Sequence, residues 1–71
     1  MTSKQKAGEI FNQHYAILLD AQSDISQEIS IWLLAKRMAL VSVEEIIQAL
    51  TYASDVRLIF WRQVKQEIEK L

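Results

Sequence analysis

Chemistry in this 71-residue chain would have to start from its one histidine and its carboxylates. His14 lies four residues from both Ile10 and Leu18, which sets it on the apolar face of a first helix. An imidazole so placed serves as a general base or pH-sensitive contact, or as a core-edge group bonded to a neighbour. Catalysis needs a nucleophile or carboxylate held beside it, and no motif supplies one. Glu9 precedes His14 by five residues, off the same face. Asp20, Asp24 and Glu28 recur every four residues. They lack the Glu-x-x-His repeats of carboxylate-bridged metal bundles and the glycine and ligand alternation of a calcium loop, and read as a solvated face. With no cysteine and a single histidine, no disulfide and no thiolate or His-based metal site is expected. The expectation is a chain that is not an enzyme and takes no metal or cofactor.

The remaining chemistry is basic. Leu34-Ala35-Lys36-Arg37-Met38-Ala39-Leu40-Val41-Ser42, followed by Val43-Glu44-Glu45-Ile46-Ile47-Gln48-Ala49-Leu50, resembles the L-A-x-x-x-G-V-S element of bacterial helix-turn-helix repressors. The resemblance covers residues 34–50 and implies a DNA-binding regulator, with Lys36, Arg37, Arg57 and Arg62 as its nucleic-acid contacts. Ala39 stands where that motif has its turn glycine. With Ala35 at the motif's alanine, Glu45 and Gln48 fall where the second helix needs apolar residues. Glu44 and Glu45 would also meet the phosphates at the start of a recognition helix, and a net charge of −1 gives no bulk attraction to nucleic acid. DNA binding is therefore the alternative reading. Tyr52-Ala53-Ser54-Asp55-Val56-Arg57-Leu58 is similar to a fragment of the Hha/YmoA family, small helical bacterial proteins that bind a nucleoid protein. These seven residues imply no more than an adaptor class.

The elements that must position these groups are helices. A first helix is expected from Thr2 or Ser3, either of which caps free amides. It would face inward with Ala7, Ile10, Phe11, His14, Ile17, Leu18 and Ala21, and stop near Asp20 to Ser23. Gly8 in its first turns costs about 1 kcal/mol against alanine. Ser23, or Asp24 with Gln27, opens a second helix. One of its apolar faces holds Ile25, Ile29, Trp32, Leu33 and Leu40, the other Ile31, Leu34, Ala35, Met38 and Val41. A helix apolar on two sides is sandwiched between neighbours, which makes this the central element. Ser42-Val43-Glu44-Glu45 has the capping-box pattern, with acidic groups suited to a helix N-terminus, and starts a third helix at Val43.

From Val43 to Leu71 there is neither Gly nor Pro, and a stripe at spacings of three and four (Val43, Ile46, Ile47, Leu50, Ala53, Trp61, Val64, Ile68, Leu71) keeps its phase. An unbroken helix there spans about 40 Å and overhangs helices of about 25 Å. A break near Ser54-Asp55 gives four helices instead, since serine and aspartate start helices better than they continue them. The fold expected is thus all-α, one domain over residues 1–71: a bundle of three helices with a long last one, or of four.

So short a chain buries only about 60% of its unfolded surface, and with no disulfide or metal in view the remaining staple is oligomerisation. The hydrophobic share is 51%, with nine Ile, eight Leu, four Val and two Trp, more than so small a body normally conceals. Leu58-Ile59-Phe60-Trp61 sets large apolar groups around a whole helical turn. The expected interface comprises Tyr52, Val56, Ile59, Phe60 and Trp61 from the third helix with Trp32 and Met38 from the second, aromatics being enriched at binding hot spots. The N-terminus lacks the apolar core of a signal peptide. The apolar run Ile29 to Val43 is interrupted by Lys36 and Arg37 and is too short for a membrane span, so a cytoplasmic location is expected. The function expected is a noncatalytic helical adaptor or regulator that pairs with itself, as a homodimer, or with another protein.

Overall fold

The computed structural model describes residues 1–21, 28–50 and 56–71, apart from the side chain of Glu28. The described residues form three helices: α1 (Ser3–Ala21), α2 (Glu28–Ala49) and α3 (Val56–Glu69). Each packs against the other two, giving a small all-α bundle.

Thr2 caps α1. Its Oγ1 accepts from the Gln5 amide (3.1 Å), while the Gln5 Oε1 accepts from the Thr2 amide (2.9 Å). This reciprocal pair satisfies two donors that the helix start leaves open. Ala7, Ile10 and Phe11 are buried as expected. Beyond them the inward face fails: His14 and Leu18 are half-buried, while Ile17 (63% exposed) and Ala21 lie open.

The third helix does not start at Val43. α2 passes through Ser42 without a turn and ends at Ala49, where the Leu50 amide is shared between the carbonyls of Ile46 and Ile47 (3.0 and 3.1 Å). Ser42 caps nothing: its hydroxyl donates to the Met38 carbonyl one turn back (3.0 Å), a bond available only inside a continuous helix. The tertiary reason is the buried row Ile31, Ala35, Ala39, Val43, spaced by four throughout. Such i, i+4 ridges are the ones neighbouring helices pack into. Ala35 and Ala39, fully buried, offer no bulk to hold those neighbours away. Breaking the helix at Ser42 would take Val43 off that row.

The long last helix is replaced by a 14-residue α3 that returns along α2. Lys65 pairs with Glu44, and further on the Lys36 ammonium donates to the Glu69 carbonyl (2.9 Å). The partner numbers fall on α2 as they rise on α3, so the two run antiparallel. The stripe kept its phase because both helices turn one face to a shared core: Ala7, Ile10, Ala39, Val43, Val64 and Ile68, with Leu40, Ile47, Phe60 and Trp61 packed at its margin. Continuity through Ser54-Asp55, and the start of the second helix at Ser23 or Asp24, lie outside the described residues.

Nor is α2 a sandwiched centre. Since every pair of helices touches, the bundle is triangular in section and each helix keeps an outer face. The overhang that the sequence assigned to the last helix belongs to α2: its 22 residues outrun the 14 of α3 by about 12 Å. The molecule is correspondingly long, 44 × 20 × 16 Å, with a radius of gyration of 13.3 Å, against about 11 Å for a compact chain of this length.

Candidate interaction surfaces

The elongation leaves apolar surface uncovered. The accessible area is 5138 Å², where size scaling gives about 4600 Å² for a monomer of this mass. Large apolar side chains stand exposed on α1 (Ile17, Leu19), on α2 (Ile29, Leu33, Leu34, Val41) and on α3 (Val56, Ile59). The α2 residues divide between two grooves, Ile29 and Leu33 in one and Leu34 and Val41 in the other.

The first groove, about 420 Å³, is lined by Tyr15, Ile29, Trp32 and Leu33. An aromatic ladder forms its floor. Phe11 stacks on Tyr15 (centroids 5.7 Å apart, planes at 19°) and meets Trp32 edge-on (5.5 Å). The Lys36 ammonium lies 5.6 Å from the Trp32 ring centroid and, through its bond to the Glu69 carbonyl, closes the C-terminal end of α3. Lys36 thus ties α2 to the end of α3 and is spoken for within the chain.

The second groove, about 440 Å³, is lined by Leu34, Arg37, Met38, Val41 and Ser42 from α2 and by His14 from α1. His14 Nε2 stands 3.2 Å from Ser42 Oγ. Because the Ser42 hydroxyl gives its one proton to the Met38 carbonyl, the imidazole is the donor and Ser42 the acceptor. That polarity is opposite to a histidine activating a serine, which would have to receive the hydroxyl proton. The pair joins residues 28 apart in sequence, and no local pattern announces it. Among the described residues no cluster of three or more His, Asp or Glu side chains could hold a metal ion. None of their buried side-chain polar atoms lacks a partner.

The expected interface residues are not brought into one surface. Trp32 and Met38 line different grooves on α2. Val56 (78% exposed) and Ile59 (58%) lie open on α3. Phe60 and Trp61 instead turn partly inward, against the core and edge-to-face with each other (5.5 Å). Tyr52 lies outside the described residues. Residues that the sequence reading passed over as interface (Ile29, Leu33, Leu34, Val41) carry most of the open apolar surface of α2. The signal for them is the apolar character of α2 on two faces, Ile29 and Leu33 on one and Leu34 and Val41 on the other, both expected in the interior.

The four candidate nucleic-acid residues are dispersed. Lys36 is bonded to α3, Arg37 borders the second groove, and Arg57 is exposed near the start of α3. Arg62 lies beside Glu44, Lys65 and Glu69. The Lys65 ammonium is held above its ordinary pKa of 10.5 by its hydrogen bond to Glu44 and then by that carboxylate's charge, so this neighbourhood is mixed rather than basic. The helix-turn-helix element does not form, since α2 has no turn where that motif needs one. Among the described residues no helix is long and apolar enough to cross a membrane. No family model, curated protein or solved structure matches the chain.

Proposed function

We propose that this chain is a noncatalytic helical interaction module, an adaptor or regulator that self-associates through the apolar outer faces of α2 and α3. The observation that carries the reading is the exposure of Leu34, Val41, Val56 and Ile59 on helices whose opposite faces are fully committed to the core. Large apolar groups left open on a small domain mark association surfaces. Hydrophobic burial supplies the affinity, and the charged rim sets orientation.

The test compares Val41→Asp and Ile59→Asp with the wild type by circular dichroism and sedimentation velocity. Helicity is expected to be kept, because both side chains are open, while at least one variant sediments as a smaller species. Wild-type sedimentation in both variants would show that neither outer face carries the association.

A further inference from the structure

The self-association proposed above leaves open which face pairs and in what direction, and the outer face of α2 answers both. Leu34, Val41 and Gln48 are spaced by seven, with Arg37, Met38 and Glu45 between them. The spacing is the one by which one helix lies along another, and its first three seam positions, Leu34, Met38 and Val41, are apolar while the last two, Glu45 and Gln48, are polar. The outer face of α3 opens with Val56 and Ile59 but continues with Arg62, Gln63 and Gln66, so its apolar part is shorter.

Two charges on the α2 face are unspent. Neither Arg37 nor Glu45 has a hydrogen bond or ion pair with any described residue, and both side chains are exposed. Arg37 lies four residues before Val41 and Glu45 four after it. A twofold axis at Val41 therefore sets Arg37 opposite the partner's Glu45, and Glu45 opposite the partner's Arg37. Parallel pairing would bring like charges together at both positions. We infer that two copies of this chain associate through α2 in antiparallel fashion about Val41, with Val41 at the centre of the seam, Leu34 and Met38 toward its ends and two Arg37–Glu45 pairs fixing the direction.

The groove of His14, Leu34, Arg37, Met38, Val41 and Ser42 receives the partner's α2. Isologous contact of this kind closes at two copies rather than growing into a filament. Because opposite charges meet twice in each dimer, reversing one member places like charges at both sites and costs affinity through repulsion as well as lost attraction.

R37E and E45R, each alone, are expected to lower the mass measured by light scattering toward that of the monomer, with the dissociation constant raised about tenfold or more. The double variant R37E/E45R restores the pairing in reversed sense and with it the dimer mass. An equimolar mixture of R37E and E45R forms a heterodimer, since each supplies the charges the other lacks. Circular dichroism of each variant keeps loss of fold apart from loss of association. If the wild type is a dimer and both single variants remain dimers of unchanged affinity, this register is wrong while self-association stands. If the single variants dissociate but neither the double variant nor the mixture recovers, the antiparallel pairing is overturned. If the wild type itself is a monomer at every concentration, the underlying reading fails with it.

Discussion

Replacing Gly8 by alanine should make this protein more stable. Gly8 is an interior residue of α1, in its second turn, and glycine there costs about 1 kcal/mol against alanine through the backbone freedom it surrenders on folding. A glycine is worth that cost where a neighbour approaches too closely for a β-carbon. Here a β-carbon built on Gly8 meets nothing within 4 Å, so the substitution brings no clash to offset its gain. An increase of about 1 kcal/mol corresponds to a melting temperature higher by roughly 4–8 °C for a domain of this size. Thermal unfolding followed by circular dichroism reads it directly. Wild type and Gly8→Ala should be compared at equal protein concentration, and at two concentrations, because association makes the midpoint concentration-dependent. An unchanged or lowered midpoint would refute the reasoning. It would mean that something packs against α1 at Gly8 which the chain itself does not supply, and the interface would have to be moved there.

Three further outcomes probe the fold. Glu45→Pro should cost about 3 kcal/mol or more, since Glu45 lies inside a continuous α2 where proline removes a helical bond and clashes with the preceding turn. A near-neutral result by urea unfolding would restore a helix start at Ser42. Ile68→Val, at a fully buried core position, should cost about 1 kcal/mol in the same assay; no measurable change would place Ile68 outside the core. The raised pKa of Lys65 stabilises the folded state while Lys65 is charged. That contribution is complete below its ordinary pKa of 10.5 and is lost as pH rises through the higher folded value. Stability of the wild type relative to Glu44→Gln should therefore narrow above pH 10.5, and a constant difference across that window would discount the pair.

Composition and periodicity made the all-α class legible and left the count between three and four helices, and the Thr2 region read correctly as a helix start because its signal is local. The second boundary misled because it, too, was judged locally. Ser42-Val43-Glu44-Glu45 has the residue types of a cap, yet the row Ile31, Ala35, Ala39, Val43 holds the helix together across it, and that row gains its meaning only from the helices packed on it. The phase of the stripe from Val43 to Ile68 survives a change of direction because both helices face one core. A one-dimensional pattern does not distinguish that arrangement from a single long helix. His14–Ser42 and Lys36–Glu69 were invisible for the same reason, their partners being 28 and 33 residues away. Apolar excess was legible as a quantity. Its location was not, because Leu34 and Val41 look like core until it is known which face of α2 the other helices cover.

Absolute mass in solution, measured by light scattering on the wild type from low micromolar concentration upward, tests the central claim most directly. A dimer of this chain gives a mass that rises with concentration and levels at twice the 8.3 kDa of one chain. A mass that stays at 8.3 kDa throughout would contradict it and leave the outer face of α2 without the partner assigned to it.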